Sequence, residues 1–220
     1  DGDRLLGAFN RPMPHWLDFF CYTMFVDRDG KFQLGMLSTS AFKPLAASMG
    51  PMLKEESFHL GTGSNGLRRI IKAGVIPLDM LQRYINKWVS TAHDLFGVDA
   101  SSSAHWAYVW GVKGRWDERK KQDAGVEVNK EVLNEEGRGH YHDEIVREVE
   151  KLCGYLPEGA EKLYVPHENF NRDIGATKGS NFNVDGSPFE GNDDDWQAYL
   201  HEVMPRAQDE IDLKELFNQE

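Results

Sequence analysis

Apolar residues recur at helical steps through most of the first hundred positions. After a polar lead-in over residues 1–13, containing Asn10-Arg11-Pro12, a helical pattern opens at His15, with Trp16, Phe20 and Met24 four residues apart and Leu34 and Leu37 extending the stripe. Ser38-Thr39-Ser40-Ala41-Phe42-Lys43-Pro44 reads as a helix end and a chain reversal near residue 41. Gly50-Pro51 either kinks the second helix or starts it afresh. From Met52, one helical face holds Glu56, His59, Gly63, Gly66 and Ile70, and the two glycines let a neighbouring helix approach closely. Gly74-Val75-Ile76-Pro77 is a stop and restart. A third amphipathic helix over 77–96 follows, through Leu81, Tyr84, Trp88, Ala92 and Phe96, and ends at Gly97.

The pattern weakens towards the C-terminus. Ser101-Ser102-Ser103 caps a fourth helix carrying Trp106, Trp110 and Trp116, with Tyr108 between them. Residues 117–134 are charge-rich and read as an exposed helix end and loop. A further helix over 140–153 places Ile145, Val149 and Leu152 on one face, and nothing near His140-x-His142, beside Gly137-Arg138-Gly139, completes a metal site. Residues 164–175 read as an extended, docked segment, Asp185-Gly186 as a hairpin turn, and the helix near 211–217 as an acidic surface or interface tail. The expected organisation is mainly α: a helical half-bundle over 1–118, with a C-terminal helix and extended segment over 119–220 packing on it.

Chemistry sharpens this picture at one place. Glu56 and His59 are three apart on a helix and so can reach a common point, and Asp27 sits on the apolar stripe of the preceding helix. A carboxylate on a buried stripe is costly unless a cation or hydrogen bonds stabilise it. Asp27 can equally pair with Arg28 or cap the turn at Asp29-Gly30. Bundles that hold two irons or manganeses use Glu-x-x-His on two helices and one carboxylate from each of two others. Asp27, Glu56 and His59 are half of such a set. None of the other histidines has a carboxylate three residues earlier, so the second half must come from an absent N-terminal part, a separate chain, or a second copy across a two-fold axis. Asp94 is a candidate to orient His59 through its free ring nitrogen. Trp106 and Trp110 are core residues or the lining of an aromatic pocket; Lys113 and Arg115 are a helix C-terminus or a phosphate contact.

Composition excludes some functions. A net charge of −11 over 220 residues argues against nucleic acid or an anionic membrane surface as partner. Cys21 and Cys153 match no zinc spacing and read as free thiols in a reducing cytoplasm. No run approaches the ~18 apolar residues of a membrane span. The chain begins at Asp1 without methionine, which raises the expectation of a longer polypeptide.

Several strings closely resemble the C-terminal half of the oxygenase components of the benzoyl-coenzyme A 2,3-epoxidase family. They are Ala8-Phe9-Asn10, Asp27 to Leu34, Glu55-Glu56-x-x-His59, Gln82-Arg83-Tyr84, Asp94 to Gly97, Lys113-Gly114-Arg115, Val165-Pro166-His167 and Phe170-Asn171-Arg172-x-Ile174-Gly175. The resemblance implies a ferritin-like di-iron helical bundle in which Asp27, Glu56 and His59 are iron ligands. The first carboxylate and first Glu-x-x-His would lie in an N-terminal half or partner chain, which favours a truncated or split polypeptide over a symmetric dimer. It also implies a cytoplasmic monooxygenase that epoxidises the ring of an aryl-CoA thioester with O2, using electrons from an NADPH-dependent flavin/iron–sulfur reductase. The Trp106–Trp116 region and Lys113 and Arg115 would then contact the ring and CoA. The alternatives are a non-catalytic helical assembly subunit and a homodimeric di-metal protein with a symmetric site.

Overall fold

The structure is a computed structural model that describes residues 7–115, 129, 131–175 and 177–217. Trp116, the 118/119 division and most of the charge-rich stretch 117–134 lie outside the described residues. Among those described, helices are joined by turns, and the nearest approach to a strand is an isolated bridge between Phe182 and Pro188.

The first rod follows a short 3-10 turn at Gly7–Asn10 and has three parts: α1 (Trp16–Cys21), a π-helical stretch (Tyr22–Val26) and α2 (Asp27–Leu37). His15 starts it by accepting the Asp18 amide on Nδ1. The wider π turn, closed by the Asp27 amide on the Tyr22 carbonyl, rotates the chain less per residue than an α-helix does. A stripe drawn at uniform four-residue steps is therefore broken: Met24, Phe25 and Val26 are all buried while Trp16 is 56% exposed.

α3 (Lys43–Ala73) is one helix of 31 residues that runs through Gly50-Pro51; the starting proline is Pro44, in its first turn. It lies antiparallel to the first rod, with Gly30 facing Glu56, Met24 facing Gly63 and Phe20 facing Gly66. A Cβ on Gly63 would stand 2.5 Å from the Met24 backbone nitrogen, so the two helices pack this closely only with glycine there. α4 (Leu78–Leu95) packs on α1 and the π stretch and buries Leu81, Tyr84, Trp88 and Ala92, while Phe96 beyond its end is buried against Phe32 and Tyr141. α5 (Ser102–Val109) is short, and its cap is Ser101, accepting the Ala104 amide.

α6 (Leu133–Cys153) begins seven residues before the expected start at 140, and Gly137 is buried where the helix crosses Met36 and Phe96. Tyr141, Ile145, Val149 and Leu152 join the same core as the earlier helices. The segment after it is strapped across α4. Tyr164 exchanges two hydrogen bonds with the Gln82 amide, Phe170 is buried, and Arg172 pairs with Asp94. Asp185-Gly186 forms a tight turn, with Gly186 at φ 86° and the Asn183 amide on the Ser187 carbonyl. α7 (Asp193–Val203) and α8 (Ala207–Phe217) close the chain. The last helix is no free tail: Leu213 is buried and Asp209 receives a two-pronged contact from Arg83 at 2.7 and 2.8 Å. No described helix is long and apolar enough to cross a membrane.

Candidate metal centre

Antiparallel packing of α2 on α3 brings Asp27, Glu56 and His59 together. The His59 Nδ1 lies 3.8 Å from Asp27 Oδ2 and 3.8 Å from Glu56 Oε2, and one donor atom from each residue falls within 4.8 Å of the others. Two donors bound to one ion at about 2.1 Å stand at most about 4.2 Å apart, a limit that both His59 separations meet. The π stretch delivers Asp27 at the first position of α2, and α3 supplies the other two from successive turns of one face. Gly30 leaves the room Glu56 needs, since a Cβ there would lie 3.1 Å from its Oε1.

The electrostatics of the cluster favour a cation. Burial raises Asp27 to about 6, with His59 opposing. Burial raises Glu56 as well, Asp27 adding to the shift and His59 opposing it. Glu56 Oε2 is buried and makes no hydrogen bond, an arrangement that is costly unless a positive charge meets it. Two carboxylates and one imidazole are a donor set suited to iron or manganese, so the residues fit such an ion.

A cavity of about 380 Å³ reaches the two carboxylates from the side of α2 and α4, walled by Phe9, Tyr22, Val26 and Leu95. Asp29, Gly30 and Gln33 complete its lining. Asp29 is wholly buried, and burial pushes its carboxyl up to about 8. Gln33 donates to Asp29 at 3.2 Å and accepts from Lys113 at 3.0 Å. The sequence reading missed this network, whose only local signal is the i,i+4 spacing of Asp29 and Gln33.

Other expected site residues lie elsewhere. Asp94 does not orient His59. It accepts Arg172 Nε at 2.5 Å and the Asp173 amide at 2.9 Å, and so fastens the strap. Trp106 on α5 and Trp110 just after it are 51% and 69% exposed, belonging neither to the core nor to the cavity beside the carboxylates. Lys113 is no open phosphate contact, because its ammonium is buried against Gln33 and Asn134 and burial lowers its pKa. Arg115 is half-buried at the edge of the described residues. The face of α3 around the pair is also more open than expected, with Phe58 and Met52 exposed.

Fold and cluster together define a ferritin-like helical bundle in which two carboxylates and an imidazole converge between α2 and α3. Residues 3–170 match the family model described as phenylacetic acid catabolic protein, and the chain belongs to that family. It is similar to benzoyl-CoA oxygenase component B of Aromatoleum evansii, at 43% identity over 142 residues, 56% of this chain and 30% of the relative. The match thus takes in less than a third of that relative's length.

Proposed function

We propose that this chain is part of a di-iron oxygenase acting on an aryl-CoA thioester, with Asp27, Glu56 and His59 as its share of the iron ligands. The convergence of these three side chains, with Glu56 Oε2 buried and without a hydrogen bond, is the observation that carries the reading. Membership of a phenylacetic acid catabolic family and similarity to a benzoyl-CoA oxygenase component support the substrate class. The remaining carboxylates and second Glu-x-x-His come from a segment or chain beyond this one, because the set of two carboxylates and one histidine is half of what two irons take.

When bound, the iron pair would supply reduction of O2 with electrons from an NADPH-dependent reductase, one oxygen atom entering the ring as a 2,3-epoxide and the other leaving as water. The chain's own residues prepare for this. Asp27 and Glu56 offer carboxylate oxygens whose protons must leave as a cation arrives. His59 offers Nδ1, and Gly30 keeps the Glu56 carboxylate free to turn. The proposed use of NADPH and a CoA thioester fits an activity in the cytoplasm.

The test begins with anaerobic Fe(II) titration of the full chain, expected to give saturable binding that Glu56→Ala and His59→Ala both abolish. The chain is then combined with a polypeptide bearing the N-terminal region of the relative, and benzoyl-CoA, reductase, NADPH and O2 are added. An oxygenated CoA product is expected. Metal binding unaltered by both substitutions would overturn the site, and absence of product from an iron-loaded assembly would overturn the reaction.

A further inference from the structure

Trp88 of α4 is wholly buried, and its indole Nε1 donates to Asp18 Oδ1 at 2.8 Å. Asp18 is buried as well, and the Lys87 ammonium holds the same oxygen at 2.6 Å. On its other side the Trp88 ring meets the Tyr22 ring edge to face, with centroids 5.3 Å apart. Tyr22 walls the cavity that reaches Asp27 and Glu56. Two aromatic rings in contact therefore connect the metal cluster with a buried carboxylate. Asp18 and Lys87 in turn line a second cavity of about 310 Å³, between residues 11–18 and the turn into α8. A buried indole needs only an acceptor for its N–H, and a neutral carbonyl would serve. A carboxylate can do more, because it can take the proton itself.

Resting on the iron and O2 reading above, we propose that Trp88 is a redox-active side chain that discharges an oxidising equivalent left at the metal cluster when no ring is there to take up oxygen. One electron passes from the indole through the Tyr22 ring to the iron site. The Nε1–H bond breaks, and the proton moves along the existing hydrogen bond to Asp18. A neutral indolyl radical remains. Lys87 makes the proton step obligatory: its ammonium lies 4.5 Å over the Trp88 ring, where an indole radical cation would be repelled and would stand uncompensated in the interior. A thiol or ascorbate, approaching by the cavity that Asp18 and Lys87 line, then returns one electron to the indole. Asp18 gives its proton back to Nε1, and the proton released by the spent reductant goes to solvent.

The test needs no iron. In the full chain carrying Cys153→Ser, a ruthenium polypyridyl complex is tethered to His59→Cys, an exposed position of the cluster, while Cys21 is buried and stays unlabelled. Flash excitation with a ruthenium hexammine quencher leaves a one-electron oxidant at that point, and transient absorption follows the radical it creates. A neutral indolyl radical is expected, formed more slowly in D2O because an N–H proton is transferred. Trp88→Phe is expected to lose it, which separates Trp88 from the exposed Trp16. Asp18→Asn, which cannot take the proton, is expected to lose it too. Tyr22→Leu should slow its formation, and Tyr22→Phe, which keeps the ring, should restore the rate. Should the labelled chain or a variant lose its helical circular dichroism, Glu55→Cys is the second attachment point and Tyr22→Leu the variant that leaves Trp88 in place. Absence of an indolyl radical, its survival in Trp88→Phe or Asp18→Asn, or equal rates in Tyr22→Leu would each overturn the proposal. Failure here leaves the metal assignment standing, and that assignment is checked separately by the Fe(II) titration.

Discussion

His59 is the most exposed member of the cluster, at 54% of its side chain, and Glu56 the least, at 19%. Replacing His59 by alanine should therefore leave folding stability within about 0.5 kcal/mol while weakening iron binding more than about ten-fold, since even indirect support of a ligand is worth that much. Urea unfolding and metal titration of one preparation check both. Asp27 adds a pH dependence. Its carboxyl is raised from 3.8 to about 6, and a cation must displace the proton held below that value. Iron affinity should be flat above about pH 7 and fall as pH drops through 6. In Asp27→Asn the remaining weak binding should lose that inflection. The pair Glu56 and His59 was legible because three-residue spacing on a helix fixes a shared direction whatever the surroundings. Asp94 was misread for the opposite reason: its partner, Arg172, lies 78 residues further on and leaves no trace in the local pattern.

At the scale of elements, the helices over 43–73 and 78–95 follow from apolar periodicity, but three features do not. The π stretch at Tyr22–Val26 contains no proline or glycine to announce it, and its effect appears only in which side chains are buried. Pro51 sits inside α3 because the long contact of that helix with the first rod outweighs one lost backbone hydrogen bond. The docking of α8 rests on Arg83 and Asp209, both nearly buried and far apart in sequence. Arg83 donates to Asp209 through Nε and Nη2, and Nη1 reaches the exposed Asp79. Removing one member leaves the other uncompensated in the interior, so Arg83→Ala should destabilise by about 3–5 kcal/mol. The double change Arg83→Met with Asp209→Leu should recover most of that loss. Urea midpoints of the three proteins decide it: equal losses in single and double variants would mean that the ion pair itself, and not the charge left uncompensated, holds α8.

Across the whole molecule, one core runs from Leu17 in α1 to Leu213 in α8, so acidification acts on the fold as a unit. Its weak point is the contact of two imidazoles between α4 and α6. His93 is wholly buried, its Nε2 stands 3.2 Å from His142 Nδ1, and its own Nδ1 has no partner. Burial, then the neighbouring His142, Arg172 and Arg138, hold His93 well below its ordinary 6.5. Burial likewise lowers His142, against the pull of Glu168. The folded protein therefore keeps both rings neutral where the unfolded chain takes up protons. With more protons bound in the unfolded state, stability rises with pH in this window. It is fully present above about 6.5 and is lost progressively as pH falls below that value. The urea midpoint should thus be level between pH 7 and 8 and decline steadily from 6.5 towards 5. In His93→Gln, which keeps a polar side chain but cannot titrate, the decline should be shallower even if the midpoint at pH 7.5 is lower. An unchanged slope in that variant would place the acid sensitivity elsewhere, with His15, which burial beside Tyr84 also lowers, as the next residue to replace.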